Sequence, residues 1–433
     1  MSDMSSLLTD QYELTMLDAA IKDGMHNRQC VFEVFARSLP GGRRYGVVAG
    51  TGRLLDLIES FRFGDAELSW IREAGIVSAA TTDWLANYRF SGNIWGYREG
   101  ELYFPGSPIL IVEGTFAEAV ILETVVLSAL NYDSAIASAA ARMVAAASGR
   151  PLAEMGSRRT GERSAVAAAR AAYIAGFVAT SNLEAGRSWG IPTMGTAAHS
   201  FTLLHDSEED AFRAQVAALG VGTTLLVDTY DVPTAVALAV RVAGTSLGAV
   251  RIDSGDLPEQ VAAVRRQLDD LGALETKITV TNDLDEFTIA ALRAAPVDSF
   301  GVGTSVVTGS GSPAAGFVYK LVARQDSHCA WIPVAKKSPH KSSLGGRKYA
   351  VRELDATGRA RAEVIHVGQP DVAASYHRAL VVALVIDGVP DPQYRAAAGV
   401  ENARAHRAAA IAELPAEAFR LSQGEPIIPT RYE

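Results

Sequence analysis

Two cysteines in 433 residues, Cys30 and Cys329, are too few for a disulfide framework or a four-ligand zinc site. The chain also lacks a basic surplus: 40 Lys and Arg stand against 49 Asp and Glu, a formal net charge of −9. Nucleic-acid binding depends on neutralising phosphates, so this balance argues against such a partner. An acidic chain can still hold an anion, but only through a local cluster of Arg and Lys. No apolar run reaches the roughly 20 residues that span a bilayer, and the stretch 379–386 reads as a buried strand or helix. The first six residues, Met1 to Ser6, show no basic region followed by an apolar run, so no signal peptide is legible. These absences point to a reducing cytoplasm, with neither membrane nor nucleic acid as partner.

What is present is globular composition, 48% hydrophobic and 21% charged, in a chain long enough for two or three domains. Its middle has a strand-then-helix cadence. Short β-rich runs at 224–227, 249–252, 277–281 and 297–300 lead into Asp228, Asp253, Asn282-Asp283 and Gly301-Val302-Gly303-Thr304. Helical stretches at 232–242, 257–271 and 286–293 lie between them. Such βα units imply parallel strands with right-handed crossovers. Polar residues fall where each strand ends, and that face carries the chemistry of a β/α barrel, with phosphate held by the last loops. A doubly wound open sheet gives a similar cadence, and the barrel is favoured. The first 125 residues are richer in aromatics and turns and lack the cadence. The end of the chain opens with a basic Gly/Ser-containing loop, 336–348, and later has a polar helix near 400–413. The expected class is therefore α/β: an irregular β/α barrel over 126–335, beside a second α/β domain built from 1–125 and 336–433.

Several constellations could carry chemistry. His199 sits in the small-residue stretch Gly195-Thr196-Ala197-Ala198-His199-Ser200, after 190–194, which reads as a strand end. Neutral imidazole is a good nucleophile toward phosphorus near pH 7, although most histidines are surface or packing residues. Asp228, at a strand end, could orient it. Arg251-Ile252-Asp253-Ser254-Gly255-Asp256 offers one cation and two carboxylates; the acids suit ribose hydroxyls or Mg²⁺, and the arginine a phosphate. The plainer reading is a helix start capped by Asp253 or Asp256. Gly301, Gly303 and Thr304, with Gly309 and Gly311, make a loop whose free N–H groups could cradle an anion. It is neither a Walker motif nor a dinucleotide fingerprint. Arg158-Arg159 and Arg163 are either a solvated surface or a pyrophosphate contact. Tyr12, in an amphipathic segment over 7–16, could pack or could stack on a flat ligand.

Taken together, six segments in order closely resemble the nicotinate phosphoribosyltransferase family, nearly end to end. They are Leu-Leu-Thr-Asp-Gln-Tyr-Glu-Leu-Thr-Met (7–16), Phe-Glu-Val-Phe-Ala-Arg (32–37), Gly-Ser-Arg-Arg (156–159), Gly-Thr-Ala-Ala-His-Ser-Phe (195–201), Arg-Ile-Asp-Ser-Gly-Asp-Leu (251–257) and Ser-Phe-Gly-Val-Gly-Thr (299–304). The resemblance implies transfer of phosphoribosyl from phosphoribosyl pyrophosphate to nicotinate for NAD salvage. This gives nicotinate mononucleotide and pyrophosphate, coupled to ATP hydrolysis with Mg²⁺. It implies that His199 is phosphorylated, with Asp228 holding its ring. Arg158 would lie near the nicotinate carboxylate, Arg251, Asp253 and Asp256 near ribose and pyrophosphate, and Gly301, Gly303 and Thr304 around the 5′-phosphate. Tyr12 would stack on the pyridine from the neighbouring subunit of a homodimer. Ser181 stands where the related nicotinamide enzyme has aspartate; serine does not repel a carboxylate and favours the acid. The family's late basic loop often reads Pro-Gly-Arg-Lys where this chain has Gly345-Gly346-Arg347-Lys348, which loosens the loop and leaves the roles of Lys336, Lys341 and Lys348 open, a mobile lid being one reading. The rivals are a nicotinamide-using sibling, a barrel lyase or isomerase acting on a sugar phosphate, and a catalytically silent nucleotide sensor.

Overall fold

Burial dictates the middle of the chain. In the computed structural model, which describes residues 6–336, 344–368 and 377–433, the runs flanked by helices have no solvent face and form an all-parallel sheet. Its spatial order is Ala179–Thr180, Leu152–Glu154, Ser299–Val302, Lys277–Val280, Ala249–Ile252, Thr224–Leu226. Leu225, Val250, Ile252, Ile278, Val280 and Val302 are buried along it. Six strands make a parallel half-barrel, not a closed ring of eight. Residues 190–194, expected to end a strand, contribute only a bridge from Thr193 to Thr180.

Helix starts explain the acidic strand ends. Asp231, Asp256 and Asp285 are N-caps of Val232–Ala243, Leu257–Asp270 and Glu286–Ala291, each accepting a backbone N–H from the first turn. Asp228 and Asp253, three residues earlier in two of these loops, are left free of capping.

The chain divides into two compact units, Met1–Ser138 with Ser312–Glu433, and Ala139–Gly311. The expected boundary near 335 moves because Phe317–Gln325 is not a barrel strand. It pairs antiparallel with Gln29–Ala36, and Phe32 stacks on Tyr319 with ring centroids 4.9 Å apart. Val381–Ile386 likewise pairs with Asn93–Tyr97, so segments from both chain ends share one seven-stranded sheet. A second sheet joins His377–Ala379, Lys348–Leu354, Ala360–Val367 and Thr430–Tyr432.

One helix among the described residues, 116–147, is long and apolar enough to cross a membrane, and most of its apolar window is buried. It corrects the reading that no apolar segment is that long. Glu123, Asn131 and Asp133 interrupt the run in sequence, and Asp133 is matched by Arg53 at 2.8 Å. Val126, Ala129 and Leu130 pack into the core of the first unit.

The late basic loop is corrected as well. Gly345 and Gly346 pack tightly: a Cβ at Gly345 would lie 2.8 Å from the Val334 carbonyl oxygen, and one at Gly346 2.6 Å from Val367 Cγ1. Arg347 pairs with Glu113, and Lys348 Nζ meets both Glu33 oxygens at 2.9 and 2.8 Å with both side chains buried. Lys348 is thus a structural cation and no part of a lid; Lys341 lies outside the described residues. Replacing Lys348 with Met strands a buried carboxylate, and a loss of about 3–5 kcal/mol in denaturant unfolding is expected. A loss below about 1 kcal/mol, the range of exposed pairs, would refute that role.

Candidate active site

The C-terminal ends of the parallel strands converge on a cleft of about 250 Å³ lined by Met155, Arg158, Arg159, Arg251, Asp253, Thr281, Asn282, Asp283, Gly301, Gly303 and Thr304. Register puts them there: Thr279 faces Arg251 and Ser299 in neighbouring strands, so successive strand ends fall side by side. Gly301 and Val302 end a strand instead of opening a loop. A Cβ at Gly301 would sit 2.7 Å from both Met155 Sδ and Thr281 Cγ2, so glycine keeps the cleft floor open. Gly303 precedes the single turn Thr304–Val307.

Arg251 Nη1 donates to Thr196 Oγ1 at 2.6 Å. Burial pulls its guanidinium below the ordinary value, against the opposing charges of Asp253 and Asp228. Arg158 and Arg159 are exposed in the lining, so with Arg251 the cleft carries three guanidinium groups. Asp283, with a backbone φ of +30°, adds a carboxylate that sequence reasoning did not single out.

His199 is the first residue of the short helix His199–Leu204, beside the cleft but not in its lining. Asp228 was expected to hold its ring directly; the ring is held otherwise. His199 Nδ1 lies 3.1 Å from Thr229 Oγ1, while Nε2 stands 3.9 Å from Asp228 Oδ1 and 3.9 Å from Asp253 Oδ2. Asp228 uses its other oxygen to accept from the Asp253 N–H at 2.9 Å and the Ser254 hydroxyl at 2.6 Å. Its buried carboxylate therefore sets the loop, and Thr229 fixes the imidazole. Thr229 was legible only as the residue after a strand-end acid.

Besides His199 and Asp228, three expected residues are not brought into the cleft lining. Asp256 is the N-cap described above, accepting from Glu259 N at 3.3 Å. Ser181 is exposed just after Ala179–Thr180, its N–H bonded to the Glu154 carbonyl at 2.8 Å. Tyr12 belongs to the other unit, exposed in the first turn of Gln11–Lys22.

Glu154 carries no signal in the sequence. Fully buried, it accepts from Gly156 N at 2.5 Å and Thr180 Oγ1 at 2.6 Å, and burial pushes its carboxyl up. Asn182 Nδ2 meets Ser157 Oγ at 3.0 Å, so two side-chain links hold the Gly156–Arg159 loop against the strand end. Gly156 has no alternative, since a Cβ there would come within 2.3 Å of Val307 Cγ1.

A sequence model of the nicotinate phosphoribosyltransferase N-terminal domain matches residues 7–131. A nicotinate phosphoribosyltransferase of Mycobacterium tuberculosis is 58% identical over 438 residues, spanning 99% of this chain and 95% of that protein. The chain belongs to this family. The Bacillus subtilis nicotinate phosphoribosyltransferase is 37% identical, over 82% of this chain and 74% of its own. Human nicotinic acid phosphoribosyltransferase has the same fold, with a TM-score of 0.82, 24% identity, and coverage of 98% of this chain and 97% of that one.

Glu154→Ala leaves the Gly156 N–H and the Thr180 hydroxyl without their buried acceptor, and should cost about 1–3 kcal/mol. Glu154→Gln, which keeps one carbonyl acceptor, should cost less. Equal losses in urea unfolding for the two would show that the acceptor is not what matters.

Proposed function

We propose that this chain transfers the 5-phosphoribosyl group of phosphoribosyl pyrophosphate to nicotinate, giving nicotinate mononucleotide and pyrophosphate for NAD salvage, at the expense of ATP. The observation that carries the reading is the cleft itself, in a chain of this family: Arg158, Arg159 and Arg251 share its lining with the carboxylates Asp253 and Asp283 and with Gly301 and Gly303. Pyrophosphate gathers negative charge as it leaves, while the sugar carbon becomes oxocarbenium-like. Arg251, already half desolvated, stabilises that charge more strongly than a solvated cation could. Asp253 accepts from ribose hydroxyls, and the backbone at Gly301 to Thr304 receives the 5′-phosphate. Arg158 orients the nicotinate carboxylate; Ser181, close to the loop that carries it, adds no charge to repel the acid.

Among the described residues no group of three or more His, Cys, Asp or Glu is placed to hold a metal ion. Mg²⁺ would be carried in on polyphosphate, keeping most of its waters and touching one protein carboxylate such as Asp283. Bound so, Mg²⁺ would neutralise developing pyrophosphate charge.

His199 accepts the γ-phosphoryl of ATP and acts as a switch on binding, not as the nucleophile at the sugar. A homodimer completes the site: Tyr12 and Met16 share an exposed helix face, Leu8 in the turn before the helix is exposed as well, and this apolar surface suits a neighbouring subunit to which Tyr12 lends its ring.

The deciding experiment follows product from phosphoribosyl pyrophosphate with nicotinate or nicotinamide, each with and without Mg-ATP. Turnover of nicotinate stimulated by ATP is expected; turnover of nicotinamide instead would overturn the substrate assignment. His199→Ala should retain weak turnover that ATP does not stimulate, and stimulation at the wild-type level would remove His199 from the ATP step.

A further inference from the structure

An arginine is almost never buried unless it is paired, because its guanidinium gives up water and needs acceptors in return. Arg407 breaks that rule. It lies in the helix Ala396–Ala412 of the first unit and is only 9% exposed. Its Nε is buried without a partner, and no hydrogen bond or ion pair joins its side chain to a described residue. Ala403 and Ala410 are buried on the same helix face. Gly100 seats that face inward: its φ is +89°, and a Cβ there would lie 2.2 Å from the Ala403 carbonyl oxygen and 3.0 Å from the Arg407 nitrogen.

The acids around this helix are engaged elsewhere. Asp56 and Glu59, on the helix Thr51–Ser60 packed against it, hold Arg395 at 2.6 and 2.5 Å. Glu101 accepts from Arg378 at 2.7 Å and from His406, the residue before Arg407, at 2.8 Å. Glu413 accepts from Arg378 at 2.8 Å. What stands near the guanidinium instead is buried Tyr45, whose ring meets Phe419 edge-on, and half-buried Arg404 one turn earlier. Burial pulls the guanidinium below its ordinary value; Tyr45 works against that pull, and the charge of Arg404 adds to it.

We propose that Arg407 is the floor of a second anion site, built from none of the cleft residues, that takes a small free oxyanion of the phosphate type. A guanidinium fork matches two oxygens of such an ion in one plane. The second positive charge, at Arg404, favours a divalent ion over a carboxylate. With 9% of the residue reaching solvent, the opening suits the bare ion and not a phosphate carried on a nucleoside. Bound there, the ion gives Arg407 the acceptors that burial removed, and it stabilises the folded chain by mass action. The cleft residues all belong to the other unit, so the site is filled without any of them.

The test counts radiolabelled inorganic phosphate bound per chain by equilibrium dialysis. It compares the wild type with Arg407→Gln, and repeats the pair with Arg251→Ala added to weaken the cleft. Arg407→Gln should remove one phosphate per chain, or weaken it at least about tenfold, in both backgrounds. A count and affinity unchanged in both overturn the site. Urea unfolding gives a second reading. Without phosphate, Arg407→Gln should unfold at the same urea concentration as the wild type or a higher one, because a buried charge lacking a partner is gone. With phosphate present the wild type should become the more resistant of the two. A midpoint lowered equally with and without phosphate makes Arg407 a packing residue and overturns the site.

Discussion

The carboxylate of Asp228 is the constraint on which the catalytic face depends. Its side chain is 1% exposed, and a buried carboxylate is tolerated only where donors replace its lost water. The Asp253 N–H and Ser254 hydroxyl meet one oxygen, and this fixes the main chain after Ala249–Ile252 relative to the end of Thr224–Leu226. Once that loop is fixed, Arg251 and Asp253 have defined directions, Thr281 finds its acceptor, and the next strand end is aligned in turn. The second oxygen faces the imidazole at a distance too long for a hydrogen bond and short enough for charge to matter. One group therefore fixes the loop beside the cleft and faces the histidine.

Four of the six half-barrel strands were legible because, buried on both faces, they read as short apolar runs ending in polar residues or glycine; Leu152–Glu154 and Ala179–Thr180, three and two residues long, were too short to show a pattern. The roles of the acids at these strand ends were not legible. Asp228 and Asp231, or Asp253 and Asp256, look alike in sequence, three apart in the same kind of loop. Only the helix start tells them apart, because the second of each pair satisfies first-turn N–H groups while the first does not cap: Asp253 lines the cleft and Asp228 is buried against the Asp253 N–H and the Ser254 hydroxyl. For the same reason Asp256 was expected in the site and is a cap. Glu154 was invisible for a different cause. Its value lies in what it accepts from Gly156 and Thr180, 2 and 26 residues away, and no local pattern announces a buried acceptor.

The other unit shows where local reasoning stops. Strands from opposite chain ends pair in it, and ion pairs across hundreds of residues hold them. Glu101 accepts two bonds from Arg378, at 2.7 and 3.0 Å, and one from His406 at 2.8 Å. Burial alone would raise its carboxyl; these partners outweigh burial and hold it well below the ordinary range. Arg352 spans Glu363 and the Leu102 carbonyl in the same interior. A charged residue in a strand reads as solvent-facing until its partner is known, and the partners of Lys348 and Arg378 lie 315 and 277 residues away. That is why the basic loop looked like a lid.

A net charge of −9 does not prevent this chain from holding a polyanion. Mobile ions screen exposed charges beyond about 8–10 Å, so the acidic surface at large contributes little to the potential inside a cleft of about 250 Å³. What counts there is the local set, three arginines against two carboxylates, and the dielectric in which they act. Arg251 is the extreme case: burial has removed enough water to pull its guanidinium below the ordinary value, so its remaining interactions are less damped than those of a surface arginine. A cation held at that cost gains most when an anion arrives, and least when Asp253 already supplies the countercharge. Selectivity for a bound anion in this fold is therefore decided less by how many arginines line the cleft than by how much of their charge the neighbouring aspartate is left to cancel.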